Sequence, residues 1–216
     1  VSPYVYNPLN LNPLRQLLLS EVDFVRVQRC DTMKGFVAAT NVHTGQARLF
    51  TGTEITADAV LASACLPYLF PAIEIGGTPY WDGGYSGNPP LRPFLKSCRS
   101  EDILLVQINP VERPETPKSS REILDRINEI TFNSTLLKEL EHVEFVNAAL
   151  ERGDLQGKGY RPIHLHRIGG EGAFAALSAS SKLNAEWPFL VHLRDLGKSA
   201  TAAWLENHFD ALGNQS

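Results

Sequence analysis

The sequence has little that would suit a membrane span, a disulfide scaffold or a nucleic-acid surface. Its longest apolar run, residues 59–73, contains Ser63, Pro67 and Pro71 and is shorter than the roughly 20 residues of a spanning helix. The three cysteines form no CxxC pair and leave one unmatched, which favours a reducing compartment and predicts a cytoplasmic protein. A net charge of −4 gives no electrostatic support for binding nucleic acid.

Methionine is also scarce, and the sequence does not open with a signal peptide. Met33 is the single methionine, the first residue is Val1, and no basic-then-apolar signal peptide opens the chain. We therefore expect these 216 residues to be the later part of a longer protein. With 43% hydrophobic and 20% charged residues, the composition is that of an ordinary globular chain.

The first half of the sequence shows alternating strand and helix patterns. A short helix is predicted near residues 14–19, and strands are predicted in VDFVRVQR, GFVAATNV and QARLF. Thr56 is a suitable N-cap for a helix that should stop before Pro67. Between AIEI and TPYW, the pair Gly76-Gly77 predicts a hairpin turn.

The second half begins with strand patterns and becomes mostly helical. Asn88 is expected to cap the helix of LRPFLKSC, and ILLVQI predicts a strand buried on both faces. SSRE predicts a capping box for a long helix that is broken near Thr131 to Ser134. PIHLHRI predicts another strand, and residues 188–212 predict a helix with Gly197 as a weak point.

The Pro-rich segment NPVERPETPK marks the expected domain boundary. Residues 1–110 are predicted to form an α/β domain, because strands and helices alternate there. Residues 111–216 are predicted to form a mostly helical extension packed on it.

The segment GGTPYWDGGYSGNPPL places a single carboxylate, Asp82, before two glycines. Asp-Gly is common in turns for local steric reasons, so a purely structural turn is one interpretation. A calcium loop with oxygens from Asp82, Ser86 and Asn88 is another, although it lacks a ligand at the third position and a closing glutamate. A third interpretation is an active site, in which Gly83 and Gly84 leave room around the carboxylate.

Two further groups of residues have a functional and a structural interpretation. His164 and His166 would share one face of a strand, as zinc ligands can, but no Cys/His pattern accompanies them. Four aromatic residues near the C-terminus either line a lipid-facing groove or pack in the core, and their helical spacing favours the core: Phe174, Trp187, Phe189 and Trp204.

Three spaced motifs together resemble the patatin-like phospholipase family, which are serine acyl hydrolases with a Ser-Asp dyad. VAATNVHTG, then ITADAVLASACLPYLFPAIEIGG, then YWDGGYSGNPPL follow in this order. The lead-in and the tail look like a bacterial subgroup with a C-terminal extension. The resemblance implies an α/β fold with a mixed or parallel sheet flanked by helices, here incomplete at its N-terminal side. It also implies that Asp82 is the catalytic aspartate, that Gly83 and Gly84 form its supporting turn, and that no cofactor or metal is needed.

The family's G-x-S-x-G nucleophile motif and Gly-rich oxyanion loop do not occur in these residues. The resemblance places both before Val1, so this chain alone is expected to be inactive. The implied substrate is a lipid or phospholipid ester, and the alternative is an inactive patatin-like scaffold or binding protein. Peripheral contact with a membrane, a homo-oligomer and association with the N-terminal segment remain open as partners, whereas nucleic acid is not expected.

Overall fold

The computed structural model describes residues 2–169, 177, 181 and 184–215, without the side chains of residues 96 and 97. The chain divides into two compact units, Val1–Pro90 and Leu91–Ser216. Both units combine helices with strands, and the predicted α/β class is confirmed. The expected domain boundary after residue 110 falls within the second unit, and the assignment of residues 1–110 and 111–216 to two domains stays a prediction.

Four helices of the first unit precede or flank its sheet: α1 (Pro3–Tyr6), α2 (Pro13–Glu21), α3 (Phe24–Gln28) and α4 (Ala57–Ser63). The hydroxyl of Thr56 accepts the N–H of Ala59 at 3.2 Å, which confirms the predicted cap of α4. This helix ends before Pro67, as expected from the restriction that proline places on the residue before it.

The strand predicted in VDFVRVQR is wrong, because this segment contains the helix α3. The carboxylate of Asp23 accepts the N–H of Arg26 at 3.0 Å and so caps the helix. The apolar alternation in this segment is loose, and the cap at Asp23 is the local signal that the strand interpretation overlooked.

The sheet of the first unit is antiparallel and has the strand order β2-β1-β4-β3. Its strands are β1 (Phe36–Asn41), β2 (Ala47–Thr51), β3 (Ile73–Ile75) and β4 (Thr78–Asp82). Gly76 and Gly77 have φ angles of 59° and 77°, which confirms the predicted hairpin between β3 and β4. The core lies where α4 meets the sheet and includes Ala39, Phe50, Ala59, Leu61, Cys65, Ile73 and Tyr80.

The second unit contains a parallel strand pair between helices. Its elements are α5 (Arg92–Ser97), β5 (Asp102–Gln107), α6 (Ser120–Glu151), β6 (His164–Gly169) and α7 (Trp187–His208). Ile103 and Leu165 pack with Leu91, Leu95 and Val143 on the side of α5 and α6. On the side of α7, the ring of Trp204 meets His166 edge-on, with 6.0 Å between ring centroids.

The strand in ILLVQI forms as β5, but its burial on both faces is wrong. Leu105 is buried, whereas Leu104 and Val106 are 46% and 67% exposed. Side chains alternate between the two faces of a strand, so only the face packed against α5 and α6 is well covered.

Two predictions about helix ends are also wrong. Helix α6 runs unbroken through Thr131 to Ser134, and both hydroxyls donate to carbonyls of the preceding turn at 2.8 and 2.9 Å, so they do not compete for the helix N–H groups. Asn88 does not cap α5, which begins at Arg92. The carboxylate of Glu139 accepts the N–H groups of Leu91 and Arg92, each at 3.1 Å, and replaces the expected cap. The predicted capping box of Ser119 and Glu122 is confirmed.

Within the described residues, we find no helix with the length and apolar character of a membrane span.

Candidate active site

Asp82 is the last residue of β4 and the N-cap of a short 3-10 helix, Gly83–Tyr85. Its backbone N–H donates to the carbonyl of Cys65 at 2.9 Å. Its backbone carbonyl accepts the hydroxyl of Thr40 at 2.7 Å. In the ladder between β1 and β4, Asp82 lies opposite Ala39. The backbone at this position is therefore fixed by β1 on one side and by the end of α4 on the other.

These contacts bring together the three motifs that carry the family resemblance. VAATNV forms β1 and supplies Ala39 and Thr40, while ASACLP forms the end of α4 and supplies the carbonyl of Cys65. The motif YWDGGY supplies Asp82 itself. The three motifs therefore have a common structural role, because the first two contact the turn that the third contains.

The two glycines after Asp82 have different roles. A Cβ atom on Gly83 would lie 2.2 Å from the carbonyl oxygen of Ala38, so only glycine lets the turn approach β1 this closely. The N–H of Gly84 donates to the Asp82 carboxylate at 2.7 Å. Both glycines are buried, whereas Asp82 is half-buried. The turn therefore orients a partly accessible carboxylate.

Two ionisable side chains next to Asp82 are held neutral near pH 7. Burial raises the pKa of the Cys65 thiol to about 11, and the negative charge of Asp82 adds to the effect. Burial also raises the pKa of Tyr85, again with a contribution from Asp82. Sequence reasoning singled out neither residue, although Tyr85 directly follows the two glycines. The carboxylate thus faces neutral neighbours that would not compete with it as a base.

The hydroxyl groups near the turn are engaged with one another. Ser86 and Thr40 lie 2.8 Å apart through their side-chain oxygens. This places Ser86 beside the turn, but its contact is with Thr40 and the Asp82 carboxylate contacts Gly84. The calcium-loop interpretation receives no support from these contacts. Within the described ranges, no group of three or more His, Cys, Asp or Glu side chains could hold a metal ion.

The two histidines of β6 lie beside Asp102 of the neighbouring strand. His166 is buried, and its Nε2 lies 2.9 Å from a carboxylate oxygen of Asp102. The same oxygen accepts the N–H of Gly213 at 2.8 Å, so the pair also holds the end of the chain after α7. His164 is half-buried and lies opposite Asp102 in the ladder. These contacts favour a packing role over the zinc interpretation.

The C-terminal aromatic residues do not behave as one group. Trp204 is buried, as core packing predicts, but Trp187 is 74% exposed, so the core prediction is wrong for that residue. Phe189 is half-buried. Phe174 lies outside the described residues.

The fold and the turn define an α/β protein with an oriented carboxylate where a strand ends. A sequence model of the patatin-like phospholipase family matches residues 10–95. Over these residues the chain is similar to that family, and the resemblance carried by the three motifs is confirmed. No match was found among curated proteins. The matched segment includes β1, α4 and the whole Asp82 turn.

Proposed function

We propose that this chain supplies the aspartate of a Ser-Asp dyad in an enzyme that cleaves ester bonds of lipids or phospholipids. The observation that supports this most directly is the convergence of β1, the end of α4 and the glycine turn on Asp82. The 216 residues contain no G-x-S-x-G motif. In this proposal the nucleophilic serine therefore comes from polypeptide outside them.

A serine hydroxyl is a weak nucleophile until a positioned base takes its proton. A carboxylate with an ordinary pKa of about 3.9 is a weak base, so it must be held in place within hydrogen-bonding distance. The contacts of Asp82 support the first part of this requirement, since its backbone is hydrogen-bonded at both N–H and carbonyl and its carboxylate accepts the N–H of Gly84.

The proposed reaction has two stages. The serine oxygen attacks the ester carbonyl carbon while Asp82 accepts the serine proton, and the tetrahedral intermediate then expels the lipid alcohol, which takes that proton. Water next attacks the acyl-serine ester and gives its proton to Asp82. When this second intermediate breaks down, the fatty acid leaves and the proton returns to the serine oxygen.

The test is Asp82→Asn in a polypeptide that carries both this segment and the serine. Asparagine keeps an oxygen that can accept the Gly84 N–H, so the turn is retained while the base is lost. We expect kcat on p-nitrophenyl butyrate and on a phospholipid to fall by about 10²–10⁴ with little change in melting temperature. Asp154→Asn is the matched control, because the Asp154 side chain is 60% exposed.

Unchanged turnover in Asp82→Asn would contradict the proposal. The alternative, a scaffold or binding protein without catalysis, predicts instead that a fluorophosphonate probe labels no serine and that no ester is turned over. A cytoplasmic location, peripheral membrane contact and association with a second copy or an N-terminal segment stay predictions.

A further inference from the structure

The second unit contains a cavity of about 470 Å³ where β5 and β6 end beside α7. Its described lining is mostly apolar and includes Val106, Ile108, Ile168, Leu190, Leu193 and Gly197. The volume lies within the roughly 300–1,000 Å³ of small-molecule pockets in proteins. Every described lining residue lies outside the segment that matches the patatin-like family.

The strand side of the cavity is formed by the carboxyl ends of two parallel strands. Val106 of β5 lies opposite Ile168 of β6 in the parallel ladder. Val106 and the following Ile108 are 67% and 68% exposed although both side chains are apolar. In open α/β sheets, ligands characteristically bind at the carboxyl ends of parallel strands. These uncovered side chains thus lie where a ligand would be expected.

The helix side is a stripe along one face of α7. Leu190, Leu193, Gly197, Ala200 and Thr201 recur at helical spacing, and together they span about 16 Å at about 1.5 Å per residue. A Cβ atom on Gly197 would meet no atom within 4 Å. Glycine inside a helix costs about 1 kcal/mol relative to alanine. The stripe therefore has leucines at its N-terminal end and smaller side chains from Gly197 onward, and it leaves space open at Gly197.

The charged lining residues favour an anion. They are Arg113, Glu129 and Arg194, and together with their ion-pair partners Arg126 and Asp195 they carry one net positive charge. Arg113 and Arg126 both contact the Glu129 carboxylate, at 2.6 and 3.2 Å, and these three side chains carry one net positive charge. Arg194 pairs with its neighbour Asp195 and its side chain is 55% exposed, which places its guanidinium at the solvent side.

We propose that this cavity binds a fatty acid. The alkyl chain lies between Val106, Ile168 and the α7 stripe, and the carboxylate lies at the solvent end near Arg194. The elongated apolar space accounts for the chain, and the excess of arginine accounts for the acid group. The inference does not depend on the proposed hydrolysis, although a fatty acid is one of its products.

Binding is tested by titrating the full chain with dodecanoate and, separately, with dodecanol in a calorimeter. Gly197→Leu places a side chain in the open space, and we expect dodecanoate affinity to fall at least tenfold. Ala202→Leu introduces the same side chain at an exposed position of α7 outside the lining, and we expect it to bind as the unchanged chain does. Arg194→Gln should weaken dodecanoate several-fold and leave dodecanol unaffected.

Three results would overturn the inference: no dodecanoate binding by the unchanged chain, unchanged affinity in Gly197→Leu, or equal effects of Arg194→Gln on the acid and the alcohol. If Gly197→Leu lowers the melting temperature strongly, Ala200→Leu is measured in its place with the same expectation. Asp82→Asn should bind dodecanoate normally, so failure of hydrolysis and failure of this site are distinguishable.

Discussion

At the scale of single residues, the Asp82 turn depends on the absence of a side chain at Gly83. Gly83 is buried against the carbonyl of Ala38, and the space that a Cβ would need is already filled by backbone. Backbone cannot move aside as the end of a flexible side chain can, because β1 is paired on both of its edges. The identity of residue 83 is therefore set by packing, independently of any chemistry at Asp82.

Gly83→Ala should destabilise the protein at or above the upper end of the about 1–3 kcal/mol typical of overpacking. Urea unfolding followed by circular dichroism measures the change in the free energy of unfolding. The matched control is Gly197→Ala, where a Cβ meets no atom and the φ angle is not positive. That control should stabilise α7 by up to about 1 kcal/mol. Equal effects of the two substitutions would contradict the close approach of residue 83 to β1.

The cysteines should differ strongly in reactivity. Cys30 is exposed, and hydrogen bonding to Thr32 lowers the pKa of its thiol. Burial raises the pKa of the Cys65 thiol to about 11, so at pH 8 only about one in a thousand Cys65 thiols is ionised. Iodoacetamide at pH 8 should label Cys30 first and Cys65 last, as measured by mass spectrometry over time. Thr32→Val should slow the labelling of Cys30 and leave the other cysteines unaffected. Comparable labelling rates at Cys30 and Cys65 would contradict the opposite pKa shifts of the two thiols.

At the scale of elements, local signals in the sequence predicted those ends and turns that are stabilised locally. The caps at Thr56 and Ser119 and the glycine hairpin each involve residues at most three positions apart. The start of α5 could not be predicted in this way, because its N–H groups are satisfied by Glu139, a residue of α6. The continuity of α6 could not be predicted locally either, since it depends on which groups the hydroxyls of Thr131 and Ser134 bond.

Glu129 on α6 is expected to be the most costly acidic residue to neutralise in the second unit. Burial alone would raise its pKa, but hydrogen bonds and charge from Arg113 and Arg126 outweigh burial and hold the pKa below its ordinary value. Glu129→Gln should cost about 3–5 kcal/mol, because it leaves two guanidinium groups without a carboxylate. Glu144→Gln at an exposed position of the same helix is the control.

The same carboxylate predicts a pH dependence. Because the pKa of Glu129 is lower in the folded state, its contribution to stability is present above the unfolded pKa of about 4.3 and is lost as pH falls through the folded value. The difference in unfolding free energy between the protein and Glu129→Gln should therefore shrink below about pH 4. A difference that stays constant down to pH 3 would contradict the ion pairs seen around Glu129.

At the scale of the whole molecule, the candidate site could be predicted only from motifs shared with a known family, because its contacts join residues far apart in the sequence. Asp82 and its glycines were selected as candidates because three motifs occur together in the order of a known family. The partners of the turn, Cys65 and Thr40, come from other elements, and no local pattern assigns them to Asp82. The α/β class followed from alternating patterns, whereas the exposed face of β5 did not, because burial depends on what packs against a strand.

The two units have separate hydrophobic clusters that share no residue, and this predicts where core substitutions act. Leu61 is 1% exposed in the first cluster and Leu95 is 3% exposed in the second. Truncation of either to alanine should cost about 2–5 kcal/mol. Hydrogen exchange with mass spectrometry should show faster exchange mainly in residues 36–82 for Leu61→Ala and mainly in residues 91–169 for Leu95→Ala. If each variant accelerated exchange equally in both ranges, the two clusters would act as one core and the division into separate cores would be wrong.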